Sequence, residues 1–332
     1  MTMTKAQSDR RPGAWITLWA LTALLVPWSL VHAGRAIQER RAADPQGEVE
    51  IVNVSGLVEL YGWERSEVEV GGTVGDNVIR VDVTSTGNHT LIQVVSRSGR
   101  TWGFDAEAHL VVHVPVKSAV TATLVSADLK VTGVMGDLKV QSVSGNLRGD
   151  VGGNIRASTV SGAVRLTARA AKAVEVKTIS GDIQLVGGGG EVDIATVSGS
   201  ATIELADVTR ARFKSVSGDM TADLALAPDG LIEGESVSGA ISLRFAAAPA
   251  AEFDVQSFSG DIRNCFGPKP MQSRYGPGSR LEFKNGDGHA HVRVNTKSGD
   301  VRLCVKGMNS SRVSMLSPAR LRSFRMVIPY VY

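Results

Sequence analysis

Residues 174–185 read VEVKTISGDIQL. Val174, Val176 and Thr178 alternate with other residues, which puts them on one face of an extended strand. Ile183 and Leu185 alternate in the same way, but the parity has changed from even to odd. A strand cannot change parity without a bulge or a corner, and Gly181 is the residue type that permits one. The stretch predicts strand, Ser-Gly corner, strand.

That corner recurs. Copies are SVSGNL at Ser142, TVSGAV at Thr159, TISGDI at Thr178, TVSGSA at Thr196, SVSGDM at Ser215, SVSGAI at Ser236, SFSGDI at Ser257 and TKSGDV at Thr296, with a degenerate LVSADL at Leu124. The repeat motif is thus Ser144-Gly145, Ser161-Gly162, Ser180-Gly181, Ser198-Gly199, Ser217-Gly218, Ser238-Gly239, Ser259-Gly260 and Ser298-Gly299. From Ser126 to Ser259 the marker serine advances by 17 to 21 residues, and then by 39 to Ser298. A near-constant step over so many copies is the signature of stacked repeats. The expected fold class is all-β: a β-solenoid, a single-stranded β-helix-like stack of about nine coils of ~19 residues over 118–304, with rungs about 4.8 Å apart.

Stacking assigns roles to the motif positions. Val and Ile ladders fill the interior. The Ser/Thr ladder from Ser142 to Thr296 is expected to bond hydroxyl to hydroxyl between rungs. After the glycine come Asn146, Ala163, Asp182, Ser200, Asp219, Ala240 and Asp261, so no two of these consecutive copies carry Asp, and like charges are kept apart.

The flanking segments read differently. Residues 47–117 hold short alternating runs (Glu48 to Val54, Glu67 to Val70, Val78 to Val83, Leu91 to Val95, Leu110 to Val114), expected as an N-terminal β region that caps the first coil. Residues 34–46, with Arg40-Arg41 and Asp44-Pro45, are expected as a linker. Lys5, Arg10 and Arg11 precede an apolar run from Ala14 to Val31, and Val31-His32-Ala33 offers a cleavage site, so residues 1–33 read as a signal peptide and the chain as exported and periplasmic. The rival reading is an uncleaved membrane anchor through residues 14–31, the only membrane contact the sequence suggests. The tail, 305–332, carries Lys306, Arg312, Arg320, Arg322 and Arg325 and no acid. Alternation of Phe324, Met326, Ile328, Tyr330 and Tyr332 suggests a final strand that covers the last coil.

Charge argues against nucleic acid. The whole chain is +3, but residues 34–304 hold 28 basic against 32 acidic residues. Backbone binding needs a concentrated basic face. Catalytic groups are equally sparse. A serine nucleophile needs a base within reach, and most Ser-Gly copies have no histidine near them. His109 with His113, and His289 with His291, give at most two ligands per pair where a metal site needs three or four. Gly187 to Gly190 lacks the period of the glycine-rich calcium repeat and reads as a return loop. No catalytic, metal or cofactor site is expected. Carbohydrate-active β-helices need a carboxylate cluster on one groove, whereas the recurring acids here alternate with Ala and Ser.

The two cysteines share a phase. Cys265 follows Ser259, and Cys304 follows Ser298, by six residues each. If the 39-residue step were two plain coils, the cysteines would sit about 9.6 Å apart, too far to bond. Phe266 to Ser279 carries Pro268, Pro270, Pro277, Gly267, Gly276 and Gly278, which cannot continue a central strand. Asn285-Gly286-Asp287-Gly288 then joins two alternating runs as a hairpin would. Both features belong to an excursion, so the cysteines fall on adjacent rungs and a Cys265–Cys304 disulfide is expected.

With NVSGLVELYGWERSEVEV at 53–70, LVVHVPV at 110–116, the SVSGD-type copies and SRLEFKNGDGHAHVRVNTKSGDVRL at 279–303, the chain resembles the bacterial putative-adhesin family, exported β-strand-repeat proteins of domain-of-unknown-function type 4097. The resemblance covers about residues 47–304 and includes the opening strand with Gly62-Trp63. It implies an envelope protein that is not an enzyme and acts as an adhesin-like repeat scaffold or binding module, with an unknown envelope protein or glycan as partner. The alternatives are a carbohydrate-active β-helix enzyme and, by analogy, a sensor-type partner of an envelope-stress pathway.

Overall fold

In a computed structural model the described residues are 34–97, 107–273 and 277–307. The expected signal segment 1–33 and most of the tail, 308–332, lie outside them.

One coil shows how all are made. Strand β12 (Ala173–Thr178) buries Val174, Val176 and Thr178, and β13 (Ile183–Gly187) buries Ile183 and Leu185. The two strands meet at Ser180-Gly181, so their apolar rows face one interior from two sides. Earlier rungs repeat this as β8 (Leu138–Ser142) with β9 (Leu147–Val151), and β10 (Ile155–Thr159) with β11 (Val164–Ala168). Pairing is parallel and in register: Thr159 lies opposite both Ser142 and Thr178. Register fixes every ladder at once, because a slip by one residue would turn each buried row outward.

The later rungs are built from β14 (Gly190–Thr196), β15 (Ala201–Ser215), β16 (Met220–Ser236) and β17 (Ile241–Phe245), of which β15 and β16 run on through the return. Asp207 stands at the β15 bend with φ 53°, where the register shifts. Each fully buried Val, Ile, Leu or Phe in these ladders stabilises by about 1.5–3 kcal/mol relative to exposure.

Both ends depart from simple order. At the N-terminal end the strands are β1 (Arg35–Ala42), β2 (Glu48–Trp63), β3 (Glu67–Val74), β4 (Val78–Thr86), β5 (His89–Ser96), β6 (Ala108–Pro115) and β7 (Ala119–Val134). β2 is itself a rung, with Ser55 opposite Ser126, and it pairs in parallel with β7 on one side and with β5 and β6 on the other. The outermost rung, β5 and β6, is then covered by antiparallel β4 and β3, and β3 by β1. Residues 34–46 are therefore largely not a linker: Arg35–Ala42 is a paired strand, because the edge of β3 would otherwise be open.

The C-terminal end mirrors this. Its strands are β18 (Ala251–Ser257), β19 (Ile262–Asn264), β20 (Met271–Gln272), β21 (Ser279–Asn285), β22 (Ala290–Thr296) and β23 (Val301–Val305). β22 and β23 pair with β16 and β17 on one side and with β18 and β19 on the other. The Ser298 rung thus sits between the Ser238 and Ser259 rungs, against chain order. β21 covers β18 antiparallel, and β20 pairs with β21. Asn285 to Gly288 is accordingly not a hairpin turn: β21 and β22 flank β18 on opposite sides. At this end Phe253 stacks on Phe283 at 4.5 Å, with Phe245 and Phe266 edge-on to Phe253.

Two ladder expectations change. The buried Ser/Thr hydroxyls bond mainly within their own coil: Thr178 Oγ1 accepts from Gly181 N–H at 2.8 Å, and Ser236 Oγ donates to Gly239 O at 2.7 Å. A short side chain three residues before the corner reaches the corner backbone before it reaches the next rung. The acid interleaving also fails at the end, where Asp300 of the Ser298 rung lies beside Asp261. Asp261 N–H donates to Asp300 Oδ1 at 2.9 Å, which gives one carboxylate a partner.

Candidate functional site

The Ser-Gly corner lays out a regular surface that repeats from rung to rung. Each marker serine is exposed and donates its hydroxyl to a backbone carbonyl of the preceding rung: Ser180 to Val160 O at 3.3 Å, Ser198 to Ile179 O at 3.2 Å, Ser217 to Val197 O at 3.1 Å. These serines carry the cross-rung bonds, and that use accounts for their recurrence without catalysis.

Between the buried Ser/Thr and the exposed Ser stands one apolar residue per rung. Alternation turns it outward. Val54, Val125, Val143, Val160, Ile179, Val197, Val216 and Val237 are exposed by this rule, from 42% at Val54 to 51% at Ile179. At about 4.8 Å per rung they form an apolar line of ~34 Å. Lys297 on the inserted rung interrupts it, and Phe258 beyond is 65% exposed. The sequence held the signal: Thr178 faces inward, so Ile179 faces outward. Assigning all Val and Ile ladders to the interior concealed it.

The outer faces of the strands are polar and paired. Arg156 meets Glu175 at 2.7 Å, Arg212 meets Glu233 at 3.0 Å, and Lys177 also pairs with Glu175. Hydrogen bonds from Lys177 and then Arg156 hold the Glu175 carboxyl below its ordinary range. A groove of about 620 Å³ crosses this face beside Lys139, Arg156, Glu175 and Arg212. Its basic residues Lys139, Arg156, Arg210 and Arg212 are matched in number by Asp137, Glu175, Glu191 and Asp193.

Near the N-terminal end the His113 ring stacks between Tyr61 and Trp63, at 5.5 and 5.0 Å, and Arg65 lies over Trp63. His109 faces Glu59 at 3.5 Å, and a hydrogen bond from Lys130 is the main cause that keeps Glu59 below the usual carboxylate range. His291 faces Glu252 at 3.5 Å. Among the described residues no group of three or more His, Cys, Asp or Glu is placed to hold a metal ion. Among them, too, no helix is long and apolar enough to cross a membrane. Cys265 and Cys304 are disulfide-bonded on adjacent rungs, with Cα atoms 4.8 Å apart. The bond joins the outermost rung to the inserted one.

A parallel β-solenoid whose first and last rungs are threaded between their neighbours defines the class of this protein. The chain belongs to the Toastrack DUF4097 family, which matches residues 48–304. No curated protein matches it. Among solved structures it is similar to a "putative adhesin" from Bacteroides fragilis, at 11% identity over 82% of this chain and 98% of that chain, with a TM-score of 0.43. A "putative lipid binding protein" from Parabacteroides distasonis is similar at 11% identity over 81% and 97%, with a TM-score of 0.39. A "putative cell adhesion protein" from Clostridium sporogenes has 10% identity over 82% and 100%, with a TM-score of 0.24. Likeness at these values carries no argument about function.

Proposed function

We propose that this is a non-catalytic binding protein of the cell envelope, which holds a protein partner along the apolar line at its Ser-Gly corner. The line from Val54 to Val237 is the observation that carries the reading. It is long, one residue wide and uninterrupted over its rungs, a shape suited to an extended segment of a partner. Solenoids offer such faces because each rung repeats the last. The export reading is supported by the basic and apolar N-terminal segment and by the disulfide, which persists in an oxidising compartment.

A membrane-impermeant crosslinker applied to cells with a permeabilised outer layer tests compartment and partner together. The wild-type protein is expected to give a discrete crosslinked species. Ile179→Asp with Val197→Asp is expected to abolish it while circular dichroism and melting stay unchanged, because both side chains are exposed. Crosslinking indifferent to the two charges would contradict the reading, and so would turnover of any member of a glycan panel.

A further inference from the structure

Several charged side chains of the solenoid meet their opposite on the neighbouring rung: Arg156 and Glu175, Arg212 and Glu233, Lys214 and Glu235 at 3.1 Å, Arg210 and Glu191 at 3.4 Å, and Arg169 and Asp150. In-register parallel strands set equivalent side chains side by side, so opposite signs attract and like signs repel.

Arg263 and Arg302 meet no opposite charge. They are direct register partners on β19 and β23, both exposed, and among the described residues neither takes part in an ion pair. Two fixed positive charges on adjacent rungs are unfavourable unless something offsets them. The cost is enforced by a covalent bond. Two residues beyond each arginine stand Cys265 and Cys304, whose disulfide fixes these rungs side by side. The sequence repeats the unit as Asp261-Ile262-Arg263-Asn264-Cys265 and Asp300-Val301-Arg302-Leu303-Cys304.

The surroundings are arranged for an anion. Thr221, Ser242, Arg302 and Arg263 occupy one register position on four successive rungs, so two hydroxyls lead up to the two guanidiniums. They line a depression of about 430 Å³ that also includes Arg244, Asp219 and Asp300. Its acids are engaged with the backbone: Asp219 Oδ1 accepts from Ala240 N–H and Asp300 Oδ1 from Asp261 N–H, both at 2.9 Å. Arg244 is held by Asp223. Within the depression the Arg263 and Arg302 guanidiniums are left without an ion-pair partner among the described residues. Other basic neighbours, Arg148 on β9 beside Lys130 and Arg165, and Lys139 beside Arg156, have no disulfide beside them, and none of them lines that depression.

We propose that Arg263 and Arg302 form a binding site for a phosphate monoester, with Ser242 as a further donor. A phosphate monoester carries about −1.5 to −2 charge near neutral pH, which matches two guanidiniums, and its oxygens accept forked N–H donors. The group could come from a soluble phosphate compound or from a lipid headgroup. This site is separate from the apolar corner, so it stands or falls apart from the reading above.

The test uses the full mature chain. Inorganic phosphate is titrated by calorimetry, and sedimentation is measured with vesicles of equimolar phosphatidylcholine and phosphatidic acid against phosphatidylcholine alone. Arg263→Gln with Arg302→Gln is expected to weaken binding at least ~10-fold, while Arg148→Gln with Arg165→Gln leaves it unchanged. All four residues are exposed, so folding is not at stake, and melting curves check it. Binding of phosphate without vesicle binding assigns a soluble ligand, whereas vesicle binding that requires phosphatidic acid assigns the lipid. Equal losses in the two double variants would show diffuse charge and overturn the site, as would no binding of either probe by the wild-type protein.

Discussion

Gly181→Ala is expected to destabilise the solenoid by about 3 kcal/mol or more, seen as a fall in melting temperature of roughly 6–12 °C. The reason is contact, not backbone conformation, since Gly181 is not among the glycines with positive φ. A Cβ there would lie 2.0 Å from the carbonyl oxygen of Gly162, the equivalent residue one rung away. The same holds along the corner: at Gly145, Gly162, Gly199, Gly218, Gly239, Gly260 and Gly299 the added carbon would stand between 1.7 and 2.3 Å from the oxygen of a neighbouring rung. The atom met is backbone inside a hydrogen-bonded ladder, so it cannot move without opening the rung. Gly71→Ala is the control. Its nearest neighbour would be Ile37 O at 3.9 Å, and the change should stay within about 0.5 kcal/mol. Equal melting of Gly181→Ala and Gly71→Ala would refute the contact argument.

The second large effect is loss of the disulfide. Cys265→Ser with Cys304→Ser is expected to cost about 3–4 kcal/mol, because the bond closes a loop of 39 residues and restricts the unfolded chain. The loss should be local at first. The Ser259 rung is the outermost, held by β23 on one side of its second strand, so hydrogen exchange should rise first across residues 251–272. Titration of the unfolded, unreduced protein should find no free thiol at either position. Two reactive thiols per chain would show that the bond is absent from the native protein.

The coil itself was legible in twelve residues. Parity on the two sides of Ser180-Gly181 gives two strands and a corner, and recurrence of the corner gives the stack. The cysteine phase was legible too, because equal offsets from Ser259 and Ser298 require equal places on their rungs. Rung order at the ends was not. Every rung offers the same ladder to either side, so local sequence does not say which neighbour it joins. The 39-residue step showed an excursion from the Ser259 rung without showing that the chain returns inside it. The Asn53-Val54-Ser55-Gly56 copy was hidden for the same reason, because strands β3 to β6 separate it from its neighbour at Ser126. As for the candidate surfaces, the outward row at Ile179 followed from parity already in hand. The Arg263–Arg302 pairing followed from the same cysteine phase, since each arginine stands two residues before its cysteine; the inserted rung changed only which of the two lies beside Ser242, Arg302 and not Arg263.

That inserted rung is where the account is most exposed to test. Val237, Lys297 and Phe258 occupy one corner position on three successive rungs, linked through Ser298 N–H to Val237 O at 2.8 Å and Ser259 N–H to Lys297 O at 3.0 Å. Cysteine pairs are placed there in the Cys265→Ser, Cys304→Ser background and oxidised. Adjacent rungs fall within disulfide reach and alternate rungs, about 9.6 Å apart, do not. Val237→Cys with Lys297→Cys is predicted to crosslink and Val237→Cys with Phe258→Cys to stay reduced. The opposite result, a bond between 237 and 258 and none between 237 and 297, would place the rungs in chain order and contradict the structure described here.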